Sequence, residues 1–263
     1  MTSHNDVRGQ RFFLLVFALS VPFWMLGSVT DLQLMPGLSI SALMTFCPTA
    51  AALILLYREN KAKGATDLLR RSFDFKRIKR TRWYVPVLLL MPAVSVVVYM
   101  LMRWMDPPLP ASQVTVVGTV LMSLGFFVGA LGEELGWSGY VLETLQARCN
   151  ALQAGVILGL VAVLWHLVPL LLLHRSPIWI AWWCLYAVAA RILIVWLYNN
   201  TDRSVFSVAL FHASLNLTYI LFPVYGSHFD MRLGGIVMAF AVTMVIAIWG
   251  PKLHTLEPAY KRS

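Results

Sequence analysis

Long apolar blocks, unbroken by charge, are the feature that most limits what this chain can fold into. Eight such stretches occur, at about 12–29, 38–57, 83–102, 114–139, 151–173, 178–198, 204–222 and 233–249. A bilayer core about 30 Å thick is crossed by a helix of roughly 20 residues. The blocks lack the polar stripe of a helix on a water-soluble core. Charged residues make up 13% of the chain, against about a quarter in soluble domains, and the apolar excess has to face lipid. Inside lipid each backbone polar group needs a partner within its own segment, which selects helices. The expectation is an all-α, polytopic membrane bundle of about eight transmembrane helices, a single integral membrane domain over residues 1–263. The run from Phe12 to Val29 is too long for a signal-peptide core and reads as a retained first span. The spans are joined by short polar or Pro-rich loops such as Asp106-Pro107-Pro108-Leu109-Pro110. No internal repeat is visible, which argues against transporters built from two matching halves.

The net charge of +9 invites a nucleic-acid reading, but its placement excludes one. Ten of the 21 basic residues fall between Arg58 and Arg82, in one loop beside apolar blocks. With the N-terminus inside, 17 Lys and Arg lie on the cytoplasmic side, while Arg103, Arg175 and Arg232 lie outside and Arg191 falls within a span. Such a bias sets topology in membrane proteins, so both termini are expected in the cytoplasm. Leu68–Tyr84 alternates basic and aromatic residues, as a segment along the inner membrane surface or a solvated basic loop would. Cys47, Cys149 and Cys184 have neither disulfide-framework nor zinc-knuckle spacing.

Ionisable side chains at membrane depth are costly and call for a partner or a purpose. The fourth block ends in Gly132-Glu133-Glu134-Leu135-Gly136-Trp137-Ser138-Gly139-Tyr140, the fifth carries His166, and the seventh carries His212 and Asn216. Adjacent glutamates on a helix point about 100° apart, so one can face a cavity while the other is held structurally. The i,i+4 spacing of His212 and Asn216 puts both on one helix face. In an antiparallel hairpin turning at Arg148-Cys149-Asn150, Glu133 and His166 lie level. His212 lies about 16 Å above its own tip, so all four side chains are expected to converge in the cytoplasmic half. Gly125, Gly129, Gly132 and Gly136 form a small-residue stripe suited to close helix packing.

These three motifs, in order and on separate apolar segments, resemble the CAAX protease and bacteriocin-processing family of intramembrane proteases. That family includes Ras-converting CAAX endopeptidases and many abortive-infection or bacteriocin-immunity proteins. The resemblance spans a catalytic core of about 118–222. Its motifs are Glu-Glu-x-x-x-Arg, matched by Glu133 and Glu134 with Ser138 at the arginine position; Phe-x-x-x-His, matched by His166 with Ala162 at the aromatic; and His-x-x-x-Asn, matched by His212 and Asn216. The resemblance implies an intramembrane CAAX-type endopeptidase acting on a membrane-associated protein or peptide.

The chemistry expected of these residues is peptide hydrolysis by water. Glu133 serves as general base, His166 orients the water, and His212 and Asn216 donate to the oxyanion. A zinc form would use Glu133, His166 and His212 as ligands, but no His-Glu-x-x-His helix is present and no cofactor is favoured. Arg191, level with His212 across the next hairpin, is the expected partner of Glu134 in place of the missing motif arginine. The alternative class is a non-catalytic membrane immunity or binding protein. The expected location is a bacterial plasma membrane.

Overall fold

The computed structural model describes residues 4–35, 38–105, 109–110 and 114–254. The chain forms α1 (His4–Val29), a small antiparallel hairpin of β1 (Gln33–Met35) and β2 (Leu38–Ser39), a 3₁₀ segment (Ile40–Phe46), α2 (Cys47–Arg70), α3 (Tyr84–Met105) and α4 (Val116–Gly136). A wide π-turn (Trp137–Val141) leads into the short α5 (Leu142–Gln146), followed by α6 (Ala151–Leu172), α7 (Pro177–Asn200), α8 (Val205–Ile220) and α9 (Met231–Trp249). Of the expected features, Asp106, Pro107 and Pro108 and the terminal Lys261 and Arg262 lie outside the described residues.

The fold is the expected all-α membrane bundle, and among the described residues seven helical spans are long and apolar enough to cross a bilayer. Two expected spans differ from the outline. The seventh, α8, has 16 residues, about 24 Å of helix. Its start is pinned by Ser204, whose side chain accepts from Ser207 N, and by Asp74, whose carboxylate accepts from Val205 N and Phe206 N. The second expected span, 38–57, is helical in the α sense only from Cys47. There Pro48, which has no N–H to lose, occupies the first turn.

Contacts sort the loops onto two ends of the bundle. At one end Arg8 meets Glu59 and Tyr140, and Arg71 donates to Gly139 O, Tyr198 Oη and Arg203 O. Gln146 exchanges hydrogen bonds with Asn199, and Leu152 N donates to Pro251 O. The loop rich in Lys and Arg is therefore knitted across the ends of α4, α7 and α8. The β-hairpin, the α6–α7 turn and the α8–α9 loop lie at the other end.

Helix pairing departs from a chain of simple hairpins. α4 packs on α2 and α8, and α7 on α6 and α9, whereas α4 and α6 make little direct contact. Indoles of Trp137 and Trp165, with centroids 5.6 Å apart, stand between the latter two, and Phe12 of α1 packs edge-on against Trp137. α6 approaches α7 closely because Gly155 and Gly159 face the backbone of Ile192 and Val188, the small-residue contact that membrane helices favour.

The glycine stripe of α4 serves the 3₁₀ segment and the start of α2. A Cβ on Gly132 would lie 2.9 Å from Thr45 O, and one on Gly136 would collide with the Pro48 backbone, whereas Gly125 has open space. Gly136→Ala should therefore destabilise by about 1–3 kcal/mol through overpacking, and Gly125→Ala should be close to neutral. Thermal unfolding in detergent distinguishes them, and equal effects would contradict this packing.

Candidate active site

The end of α4 carries its two carboxylates in different surroundings. Glu134 is fully buried and fully engaged. Arg191 Nη1 of α7 donates to its two oxygens at 2.8 and 2.9 Å, His212 Nδ1 of α8 lies 2.9 Å from Oε1, and the Ser138 hydroxyl, one turn on, donates to Oε2. One carboxylate thus ties together α4, α7 and α8. A buried charge is tolerated when it is paired and its lone pairs are used, and Glu134 meets both conditions.

Glu133 differs. It is 6% exposed, its Oε1 lies 3.2 Å from the Thr45 hydroxyl, and its Oε2 has no hydrogen-bond partner among the described residues. Thr45 also reaches Gly129 O at 3.0 Å, so the 3₁₀ segment fixes the carboxylate through a side chain 88 residues distant. Sequence reasoning missed Thr45, since a threonine in an apolar block carries no signal of its long-range neighbour.

His166 sits between two indoles, its ring 4.7 Å from that of Trp165 and 5.4 Å from that of Trp183. Trp165 is anchored by an Nε1 bond of 2.7 Å to Ser20 Oγ. His166 Nδ1 lies 2.8 Å from Ala162 O. A carbonyl can only accept, so Nδ1 carries a proton, and in the neutral form of the ring Nε2 presents its lone pair. His166 and His212 both interact electrostatically with Glu133.

Glu133, His166, His212 and Asn216 all line one cavity of about 650 Å³. The expected convergence is thus present, although it does not arise from a packed α4–α6 hairpin. On α8, His212 lies about 10 Å from the first residue and about 12 Å from the last, near mid-helix instead of toward the basic end. His212 also has an unforeseen partner, because its Nδ1 is committed to Glu134. A proton donor toward the cavity then requires the imidazolium. In that form Glu133, Glu134, Arg191 and His212 sum to zero charge, which reduces the cost of burying them.

The zinc alternative requires Glu133, His166 and His212 to converge on one point. Among the described residues no group of three or more His, Cys, Asp or Glu is gathered so as to hold a metal ion. Glu133, His166 and His212 share a cavity without forming a coordination set in this arrangement.

A polytopic helical bundle that lines an apolar cavity with a carboxylate and two imidazoles defines a class of membrane protein with an intramembrane polar centre. The family model described as type II CAAX prenyl endopeptidase Rce1-like matches residues 115–218, the segment holding Glu133, His166, His212 and Asn216. The chain is also 26% identical over 251 residues to CAAX prenyl protease 2 of Methanococcus maripaludis, covering 85% of this chain and 88% of that protein. Over this segment the chain is similar to the Rce1-like type II CAAX prenyl endopeptidases.

Proposed function

We propose that this chain is an intramembrane endopeptidase, hydrolysing a peptide bond of a membrane-associated protein or peptide in a bacterial plasma membrane. The reading rests chiefly on one observation: Glu133, whose buried Oε2 has no hydrogen-bond partner among the described residues, lines the same cavity as His166 and Asn216, while Glu134 is consumed by structural partners. The similarity to a relative named CAAX prenyl protease 2 supports the same activity class.

In this mechanism the neutral Nε2 of His166 accepts one hydrogen of the attacking water and Glu133 removes the other as the oxygen adds to the carbonyl carbon. The oxyanion is met by the His212 imidazolium and the Asn216 amide. Collapse breaks the C–N bond, and protonated Glu133 returns its proton to the departing amine. Glu134, Arg191 and Ser138 hold His212 in place and do not touch the reacting atoms.

Comparing the peptides of membranes that carry wild type with those that carry Glu133→Gln tests the reading whatever the substrate is. Cleavage products confined to wild type are expected, and identical peptide sets would count against it. On a peptide so identified, His166→Ala and His212→Ala should be inactive. Asn216→Ala, which removes one oxyanion donor, should retain partial activity at a cost of about 100- to 1,000-fold in rate. Unchanged turnover in Asn216→Ala would remove that side chain from the mechanism.

A further inference from the structure

The cavity is one-sided along every long helix that lines it. It takes α4 from Leu121 to Glu133, α6 from Trp165 onward, α7 from Trp179 to Tyr186, and α8 from His212 to Ile220. No lining residue falls between 134 and 164 or between 187 and 211. Glu133, His166 and His212 therefore form the closed end. Beyond them, toward the basic end of the bundle, Trp137, Leu142, Leu158, Leu193, Leu197 and Tyr198 are fully buried. Arg71 closes that end by bonding to the π-turn, to α7 and to the α7–α8 turn. The open end is lined by Leu34, Met35 and Leu38 of the β-hairpin, by Leu173 and Arg175 after α6, and by Trp179.

This polarity runs against the charge. The closed end belongs to the loops that hold nearly all the Lys and Arg, and such loops stay in the cytoplasm. The geometry points to a cavity that opens on the non-cytoplasmic side, and we infer that the scissile segment enters from there. The class of substrate is a peptide stretch exposed outside, or anchored in the outer half of the bilayer, with apolar side chains flanking the cleaved bond. The wall of leucine, methionine and tryptophan favours such flanks, and Arg175, stacked 4.8 Å over the Trp179 ring, holds a positive charge at the rim that disfavours cationic ones. The substrate class rests on the protease reading, whereas the side on which the cavity opens does not.

The test replaces Cys47, Cys149 and Cys184 by Ala or Ser and adds single cysteines at the mouth, Leu34→Cys or Arg175→Cys, or in the basic loop, Lys76→Cys. Intact cells are treated with a membrane-impermeant maleimide. Labelling of both mouth cysteines in intact cells, and of Lys76→Cys only after permeabilisation, is expected. It should be the same in a Glu133→Gln background, so access is read even where hydrolysis is not observed. Lys76→Cys labelled in intact cells, or neither mouth cysteine labelled in them, overturns the inference. On the wild-type site, maleimide applied to intact Leu34→Cys cells should also lower cleavage at least tenfold, and unimpaired cleavage by the labelled protein would exclude this mouth as the route of entry.

Discussion

Purified Glu133→Gln should remain folded and lose about 10³- to 10⁴-fold in kcat, the upper part of what a positioned general base supplies. Glutamine preserves shape, and its side-chain oxygen can still accept from Thr45, which lies 3.2 Å from Glu133 Oε1. Losing the negative charge removes the proton acceptor while leaving the surrounding packing alone. The unfolding temperature should therefore be near that of wild type, in contrast to changes at Glu134. Near-normal turnover in Glu133→Gln would rule out this base. Dialysis against a strong chelator, with metal analysis, separates the water-only mechanism from a zinc one. Stoichiometric metal whose removal stops hydrolysis would replace the first with the second.

The apolar blocks made the bundle legible because lipid leaves few alternatives to a helix, and length then sets the number of crossings. Their ends were less legible. The start of α8 depends on Asp74, 131 residues from Val205, and no local pattern announces such a cap. Glu133, His166, His212 and Asn216 were expected to converge and all four line one cavity, although the packing that brings them there is not the expected α4–α6 hairpin. The need of an arginine at membrane depth for a carboxylate gave Glu134 as the partner of Arg191, whereas α4 and α6 are held apart by Trp137 and Trp165. The i,i+4 stripe identified the face of α8 without identifying what each residue meets. His212 reaches Glu134 through Nδ1, which changes the protonation state needed for its proposed role. Thr45 stayed invisible because its contact with Glu133 is set by the glycine stripe that admits the 3₁₀ segment.

Arg191→Leu should destabilise the bundle by about 3–5 kcal/mol, the usual consequence of stripping a buried carboxylate of its charged partner. Arg191 is 4% exposed and Glu134 wholly buried, so neither charge can recover its lost partner from solvent. The remaining contacts, from His212 and Ser138, leave Glu134 hydrogen-bonded but without a permanent positive charge. Ser138 stands one helical turn from Glu134, where an arginine would reach the carboxylate along the same helix face. Ser138 is itself fully buried, and the space beside the carboxylate is filled by the Arg191 guanidinium. In the wild-type background Ser138→Arg should therefore overpack the site and destabilise by about 1–3 kcal/mol. In the Arg191→Leu background the same change should stabilise, since the vacated volume admits the new side chain and restores the ion pair. The effect of Ser138→Arg thus reverses sign with the identity of residue 191, a coupling that a double-mutant cycle measures directly. Equilibrium unfolding of the four proteins in detergent provides the cycle. Neutrality of Arg191→Leu, or additive losses in the double variant, would mean that Glu134 is held by His212 and Ser138 alone.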